Sequence, residues 1–287
     1  MTKRLIRFDW AIKRLLRNKA NFVVLEGFLS ELLFDNIKIT RILESEGNQE
    51  SDIDKYNRVD ILTENTKGEL IIIEIQNTYE IDYFQRMTYG VSKTISEHLS
   101  LGDAYEQVKK VISVNIVYFD LGQGKDYIYH GKTEFTGLHE HDILQLSFRQ
   151  KEKFDKENVA DIFPEYYILK VNNFSDTAKD TLDEWIYFLK NSAVKLDFTA
   201  KGLKEATQIL DIMQLNPKEE YSYNRHLDSL HLKASEILSM REEVAYQIKM
   251  EINREFALEG ISKGFDNKLI AELTKLSIEE IEKLRNK

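Results

Sequence analysis

The stretch that decides the fold is VDILTENTKGELIIIEIQ, residues 59–76. Three consecutive isoleucines, Ile71–Ile73, predict a buried β-strand in its second half. Glu74 and Gln76 stand two residues apart, so they share one face of that strand. A carboxylate and an amide beside this much apolar surface indicate either a strand that emerges into solvent or a metal site.

The same stretch predicts a β-hairpin, because Gly68 supplies the positive φ that a short hairpin loop often needs. A three-residue loop ending at Gly68 places Asp60 opposite Glu74 and Arg58 opposite Gln76 on one face of the sheet. The other face is then uniformly suited to a core. A loop of even length would change this register.

Two carboxylates directly opposite each other on a sheet repel, and a cation between them would offset that repulsion. Mg²⁺ is the natural candidate, with Mn²⁺ as a substitute, because it binds carboxylate and carbonyl oxygens and keeps several waters. A metal-bound water of lowered pKa is suited to phosphodiester hydrolysis. The alternatives are a protonated or solvated pair of carboxyl groups and a different strand register.

Composition limits the classes of protein that the chain can represent. Its 287 residues, 42% of them hydrophobic, are enough for one large domain or one domain with a helical appendage. The absence of Cys excludes a disulfide framework, thiolate catalysis and Cys-based zinc sites. The net charge of −9 argues against coating nucleic acid by charge alone. Residues 1–20, with seven Lys or Arg against one Asp, predict either a solvated helix face or a phosphate-contacting surface.

The sequence carries no evident targeting or membrane signal. Met1–Trp10 is charged with no apolar run behind it, and no run approaches the ~20 apolar residues of a spanning helix. We therefore expect a soluble cytoplasmic protein with no membrane partner.

Hydrophobic periodicity divides the chain into a mixed α/β core, residues 1–174, and an α-helical region, residues 175–287. The core pattern predicts helices at 8–17, 20–34 and 82–99, a polar loop or flap at 40–58, and strands at 58–64, 69–76, 111–121, 127–135, 143–149 and 166–171. Segment 139–142, His-Glu-His-Asp, is interpreted as a polar loop rather than a ligand cluster.

The C-terminal region ends in a recognisable helix start. Ser277–Glu280 has the capping-box pattern, and the two short helices around it resemble a helix-turn-helix. Glutamates on the second helix would repel phosphate, which favours a structural or self-association role over DNA reading.

Asp60, then Glu74-Ile75-Gln76 one hairpin later, then a helix, resemble the PD-(D/E)XK nuclease superfamily. The closer likeness is to its recombination-promoting nuclease branch, the PD-(D/E)XK family transposases. The similar strings are FDWAIKRLL (8–16), VLEGFLSELL (24–33), VDIL (59–62), IIIEIQ (71–76), YFQRMTYG (83–90) and DEWIYFLKN (183–191). The resemblance implies a restriction-endonuclease-like core, with a mixed central sheet flanked by helices.

The resemblance also implies a role for each residue of the motif. Asp60 and Glu74 would hold Mg²⁺, with the backbone carbonyl of Ile75 as a further ligand. Gln76 stands in the lysine position of other members. Because an amide carries no charge, Gln76 could only orient water or phosphate through hydrogen bonds. Val59 replaces the proline of the superfamily name.

Helical geometry indicates a candidate acid on the helix before the hairpin. Nucleases of this type often place an acidic residue there. Glu26 lies at the edge of the apolar face, whereas Glu31 lies on the solvent side. Glu26 is therefore the candidate, with a plain surface glutamate as the alternative.

Candidate substrate contacts lie on the helix that follows the motif. Gln85 and Tyr89 share one helical face and resemble the Q-x-x-x-Y element of some members. Arg86 could hold a phosphate through its planar guanidinium, or it could form an ion pair with Asp82 or Glu80.

These features together predict a Mg²⁺-dependent DNA endonuclease, with RNA as an alternative substrate. The family resemblance implies a link to recombination, mobile elements or phage defence. The C-terminal helices would support a homodimer, since double-strand cleavage by this fold usually needs two sites. The rival prediction is a DNA-binding or protein-interaction module that has kept the fold and lost catalysis.

Overall fold

The computed structural model of the chain describes residues 3–14, 16, 18–43 and 60–286. Arg58, Val59 and most of the loop predicted at 40–58 lie outside the described residues. The chain divides into two compact units, residues 1–216 and 217–287.

The strands of the first unit are β1 (Lys3–Arg4), β2 (Ile39–Leu43), β3 (Ile61–Asn65), β4 (Leu70–Gln76), β5 (Val111–Val117), β6 (Ile128–Gly131), β7 (Glu165–Lys170) and β8 (Ala193–Val194). Six of them form a mixed sheet at the centre of the unit, in the order β2-β3-β4-β5-β7-β6. Its three central strands, β4, β5 and β7, are parallel to one another, and the outer pairs are antiparallel. A separate two-stranded sheet pairs β1 with β8.

Helices cover both faces of this sheet. They are α1 (Phe8–Arg14), α2 (Phe22–Leu33), α3 (Tyr83–Glu97), α4 (Phe148–Phe154), α5 (Thr181–Asn191) and α6 (Leu203–Ile209). Parallel strands buried on both faces require near-continuous apolar sequence, and β5 is buried along its full length. The prediction of a mixed sheet flanked by helices and followed by a helical region is confirmed.

An aromatic cluster joins α1, α2 and α5. The ring of Phe8 lies edge-on to Phe28 and Phe188, with centroids 5.8 and 6.1 Å apart, and Trp185 lies 5.5 Å from Phe28. These side chains are fully buried. Their packing fixes α1 against the rest of the unit.

Helix α3 covers the opposite face, the one that carries Glu74. Leu62, Leu70 and Ile72 of the hairpin pack with Val91 of α3 in one buried cluster. Leu70, Ile72 and Glu74 alternate along β4 and therefore point to the same side. This packing brings the first turn of α3 alongside the polar end of β4.

The hairpin register agrees with the prediction. Leu62 pairs with Ile72, and the amide of Asn65 donates to the carbonyl of Glu69 across the loop at 3.1 Å. Gly68 has φ of 75°. Asp60 therefore stands opposite Glu74, one position beyond the last ladder pair.

Two segment predictions are wrong. The predicted strand at 143–149 is absent among the described residues, because Ser147 and Gln150 form a capping box that starts α4. Segment 139–142 forms an exposed turn before it. The first residues of the predicted loop at 40–58 belong instead to β2, which pairs with β3 as an edge strand.

The first unit extends past residue 175, where the sequence pattern turns helical. Helices α5 and α6 pack on α2. The segment just before α6 approaches α2 so closely that a Cβ on Gly27 would lie 2.4 Å from the carbonyl oxygen of Lys201. Pro217 starts the next helix at the division between the units, a position where its missing N–H costs little.

The second unit consists of α7 (Pro217–Ser262), α8 (Asn267–Thr274) and α9 (Ile278–Arg285). Its small core joins the end of α7 to the two short helices through Ala257, Ile270, Leu276 and Ile281. The predicted capping box between Ser277 and Glu280 is present. None of the helices in the described ranges combines the length and apolarity needed to cross a membrane.

Candidate functional site

Polar side chains converge where β4 ends, beside the first turn of α3 and the end of α1. Asp60 is held from two sides. Its Oδ2 accepts a hydrogen bond from the backbone amide of Ile75 at 2.8 Å, and its Oδ1 lies 2.8 Å from Nζ of Lys13. The first contact fixes the Asp60 carboxylate beside the central residue of the Glu74-Ile75-Gln76 triplet.

Glu74 is buried, with 7% of its surface exposed, and its carboxylate pairs with the guanidinium of Arg86 on α3. Burial raises the pKa of Glu74, Arg86 opposes that effect, and the negative charge of Asp60 adds to it. The environment therefore resists a negative charge on Glu74 even with Arg86 in place. A further cation near the pair would relieve this cost.

Gln76 belongs to the same network. Its amide donates to Glu80, and Glu80 in turn accepts two hydrogen bonds from Nη1 of Arg86 at 2.8 and 2.9 Å. Arg86 therefore forms the ion pair with Glu80 that its sequence position allows. It also reaches Glu74, which sequence reasoning did not anticipate, because the contact depends on how α3 crosses the sheet.

Two further residues, Tyr83 and Asn115, lie next to this network, and sequence reasoning missed both. The Tyr83 hydroxyl donates to Oδ1 of Asn115 at 3.3 Å, and Asn115 pairs with Glu74 across the parallel ladder. Burial raises the pKa of Tyr83 well above its usual value, so its hydroxyl stays protonated. An asparagine within the apolar run VISVNIV was the available signal.

A second polar group fastens α1 to the end of β4. Asp9 is 3% exposed, and its Oδ2 accepts hydrogen bonds at 3.1 Å from Arg7 and from Asn77, the residue after Gln76. Asp9 and Lys13 stand four residues apart on one face of α1. The Asp9 contacts therefore help to aim Lys13 at Asp60.

Glu26 lies elsewhere. It accepts hydrogen bonds from Nζ of Lys38 at 2.6 Å and from the amide of Ile39 at 3.0 Å. Ile39 pairs with Asn65, at the opposite end of β3 from Asp60. The structure therefore uses Glu26 to anchor β2 to α2 and does not bring it to the carboxylate pair.

The other helix acid, Glu31, is not on a solvent face. It accepts hydrogen bonds from the Thr181 hydroxyl at 2.6 Å and the Lys201 amide at 2.9 Å. These contacts join α2 to α5 and to the segment before α6.

Gln85 and Tyr89 lie on the exposed surface of α3, and Tyr89 is 52% exposed. They share a helical face, as the spacing predicts, while Arg86 turns toward the sheet. Their exposure leaves them accessible to a large substrate.

The oxygen donors at this site match the preferences of a hard divalent cation. Within the described ranges, no group of three or more His, Cys, Asp or Glu side chains could hold a metal ion. Asp60 and Glu74 supply two carboxylates. The Ile75 amide points toward β3, and because N–H and C=O of one residue face the same neighbour, its carbonyl does too. One or two carboxylates, completed by water and substrate phosphate, are the usual protein contribution to a Mg²⁺ site.

Comparison with known protein families gives a match over most of the chain. A family model described as PD-(D/E)XK nuclease family transposase matches residues 6–239. The match includes the whole sheet, the Asp60–Glu74 pair and Lys13. Searches of curated proteins and of solved structures find no match. The mixed sheet with flanking helices is the α/β fold of PD-(D/E)XK nucleases, and the chain belongs to the PD-(D/E)XK nuclease family transposases.

Proposed function

We propose that this chain is a Mg²⁺-dependent endonuclease that hydrolyses phosphodiester bonds in DNA. The observation that carries the proposal is the Asp60–Glu74 pair. Two carboxylates stand opposite each other at the end of a hairpin, and the Ile75 amide holds one of them in place. A fold gains no stability from such an arrangement, so a catalytic use is its best explanation.

Asp60, Glu74 and the Ile75 carbonyl are the groups that would hold the cation, with Mn²⁺ as a substitute for Mg²⁺. When bound, a divalent cation at this position supplies Lewis acidity and a water of lowered pKa. In the hydrolysis, a water oxygen bonds to phosphorus as the bond from phosphorus to the sugar oxygen breaks. The leaving oxygen keeps the electron pair and takes up a proton, and the attacking water loses one.

The surrounding residues have separable roles. Arg86 holds Glu74 and Glu80 in fixed positions, and Tyr83 keeps its proton beside them. Gln76 can orient water or phosphate through its amide. These contacts pre-organise the site, which is the main protein contribution to phosphoryl-transfer chemistry.

DNA is the proposed substrate because the family description names a transposase. Gln85 and Tyr89 on α3, together with Lys and Arg residues of the first 20 positions, are candidate contacts to the phosphate backbone. The remaining chain is acidic, so attraction to DNA would be local to this surface. Recombination, mobile-element function or phage defence is the proposed biological setting.

The proposal includes a homodimer formed through the C-terminal helices, because cutting both strands of a duplex calls for two sites. Apolar side chains along α7 support it. Four of them recur on one side of the helix and are 44 to 61% exposed: Leu238, Val244, Ile248 and Ile252. Exposed apolar side chains along one side of a long helix gain stability when a partner helix covers them.

A binding module that has lost catalysis is the second candidate. The observation that favours it is Gln76, which stands in the lysine position and whose amide is engaged by Glu80. This candidate predicts DNA affinity that falls steeply with salt and no cleavage.

Nicking of supercoiled plasmid tests the proposal. Wild type, Asp60→Asn and Glu74→Gln are compared in Mg²⁺, Mn²⁺ and EDTA, with an RNA of similar length in parallel. Glu64→Gln is the matched control, since Glu64 lies on the same hairpin and its side chain is as little exposed as that of Asp60, 13% against 12%. Metal-dependent nicking lowered about 1000-fold in both site variants, and unchanged in the control, is expected. Equal behaviour of wild type and both site variants would overturn the endonuclease proposal.

A further inference from the structure

The site lacks a cation at the position where the family motif carries lysine. The amide of Gln76 is bound to Glu80, and Glu80 is bound in turn to Arg86. The side chain at position 76 is therefore turned to the α3 side of the site. It brings no positive charge to the place where a phosphate would meet the Asp60–Glu74 pair.

Lys13 brings a positive charge to the carboxylate pair from a different element. Its Nζ lies 2.8 Å from Oδ1 of Asp60, while Oδ2 of the same carboxylate accepts the Ile75 amide. The ammonium group thus sits beside the residue between Glu74 and Gln76. The Lys13 side chain is 54% exposed, so a substrate can reach its amine.

Arg86 is less suited to that role. Its guanidinium contacts Glu74 and both oxygens of Glu80, and 29% of its side chain is exposed. A guanidinium held by two carboxylates has few donors left for phosphate, and it stays charged throughout. Arg86 is therefore a positioning residue for Glu74. Lys13 has one carboxylate partner among the ion pairs of the described residues, and two further ammonium hydrogens to donate.

Helix α1 holds Lys13 in this position by its own anchor. Asp9, four residues earlier, is buried and bound to Arg7 and Asn77. Asn77 directly follows Gln76. The anchor therefore ties the start of α1 to the end of the same strand that carries the motif, and it limits the positions that Lys13 can reach.

We propose that Lys13 is a catalytic residue and supplies the positive charge that position 76 lacks. Its ammonium donates a hydrogen bond to a non-bridging oxygen of the attacked phosphodiester and stabilises the negative charge that grows there. Lys13 keeps its proton and forms no bond to phosphorus. This inference rests on the proposed endonuclease function. The Lys13 side chain is largely exposed, so its ammonium can turn from Asp60 toward a phosphate bound at the carboxylate pair.

The chain contains no Cys, so a cysteine introduced by substitution is the only thiol that an alkylating reagent can modify. This allows a test in which the charge at the end of side chain 13 is either restored or removed. Lys13→Cys is prepared and then alkylated either with 2-bromoethylamine, which restores an ammonium through a thioether, or with iodoacetamide, which leaves a neutral amide. The matched control is Lys38→Cys under both treatments. Lys38 is 53% exposed and pairs with Glu26 at 2.6 Å, away from the site. Single-turnover plasmid cleavage is measured in Mn²⁺, and the thermal shift on adding Mn²⁺ is measured without DNA.

The neutral adduct at position 13 is expected to cleave about 100-fold more slowly than wild type, and the ammonium adduct to recover at least about tenfold. Both adducts are expected to keep the Mn²⁺ thermal shift, and both Lys38 adducts to cleave like wild type. Equal rates for the two position-13 adducts would overturn the Lys13 proposal. Loss of the Mn²⁺ shift together with the rate would also overturn it, because Lys13 would then be a structural partner of Asp60. If the wild-type protein cleaves plasmid no faster than Asp60→Asn and Glu74→Gln, the endonuclease function itself is overturned. The proposed role of Lys13 is then overturned as well.

Discussion

The backbone amide of Ile75 donates a 2.8 Å hydrogen bond to Oδ2 of Asp60. One acidic side chain is thereby held against the residue that separates Glu74 from Gln76. The contact lies at the open end of the hairpin, beyond the last pair of the β3–β4 ladder in the described residues, Ile61 and Ile73. It therefore holds the two strands together where the ladder has ended. The backbone of β4 therefore helps to set where the Asp60 carboxylate lies relative to that of Glu74.

Glu74→Gln is expected to stabilise the protein by about 1 kcal/mol at neutral pH. Burial raises the pKa of Glu74, so the folded state favours an uncharged side chain there. Urea unfolding at pH 7 gives the measurement. Glu64→Gln is the control and should lower the stability, because the hydrogen bond from Lys109 lowers the pKa of Glu64 and favours its charged form.

The advantage of Glu74→Gln should depend on pH in a defined direction. A raised pKa in the folded state means that the stability contributed by neutral Glu74 is fully present below the unfolded value, near 4.5. It is lost as pH rises through the folded pKa. The difference in free energy of unfolding between variant and wild type should therefore be small near pH 4 and grow toward pH 7. A difference that shrinks with rising pH would contradict the raised pKa.

Divalent cations should raise the melting temperature of the wild type by about 5 °C at a concentration well above the Kd. Binding to the folded state relieves the repulsion between Asp60 and Glu74. The measurement is a thermal melt with Mn²⁺ or Mg²⁺ against EDTA. Asp60→Asn should lose the shift, and Glu26→Gln should keep it. An equal shift in all three proteins would place the cation elsewhere.

Removing Arg86 should expose the cost of the buried charge. Arg86→Met leaves Glu74 without its guanidinium partner and is expected to cost about 3 kcal/mol. The double variant Arg86→Met with Glu74→Gln should recover much of that loss, because no buried charge then remains at position 74. Equilibrium unfolding of the four proteins closes the cycle. Simple additivity of the two single changes would show that the contact is not energetically coupled.

Glu26 should contribute to stability and not to cleavage. Glu26→Gln weakens the bond to Lys38 and the hold on the Ile39 amide, so a loss of about 1 kcal/mol in the free energy of unfolding is expected. Its nicking rate should stay within about twofold of the wild-type rate, because a substitution remote from the site has only a small effect. A large loss of rate with unchanged stability would restore Glu26 to the catalytic group.

Replacing an exposed apolar residue on α7 with a charged one should dissociate the proposed dimer. Ile248 is 52% exposed, and Ile248→Glu would set two like charges in a helix-helix interface. Light scattering after gel filtration should show a dimer for wild type and a monomer for this variant. Gln247→Glu, the neighbouring exposed position, is the control and should remain dimeric. A monomeric wild type would remove the dimer from the proposal.

The sequence by itself determined the hairpin, its register and the identity of the carboxylate pair. Gly68 and the two-residue alternation along β4 are local features, so the Asp60–Glu74 facing follows from neighbours along the chain. The capping box at Ser277 is local in the same way. The polar end of β4 could thus be predicted before any packing was known.

Local pattern was less decisive where two signals competed. Segment 143–149 alternates like a strand, yet the Ser147–Gln150 cap starts a helix inside it. β2 was not predicted because it is a five-residue strand directly followed by a long polar segment, and an edge strand needs only partial burial, so its own alternation is weak.

Only the tertiary structure decided which charges meet. Lys13 reaches Asp60 across 47 positions of sequence because aromatic packing seats α1. Arg86 reaches Glu74 because α3 lies over the hairpin, and Glu26 meets β2 because α2 crosses the far end of the sheet. Periodicity specifies the face on which a side chain lies, but the partner it meets depends on the crossing of whole elements, which is set by the core.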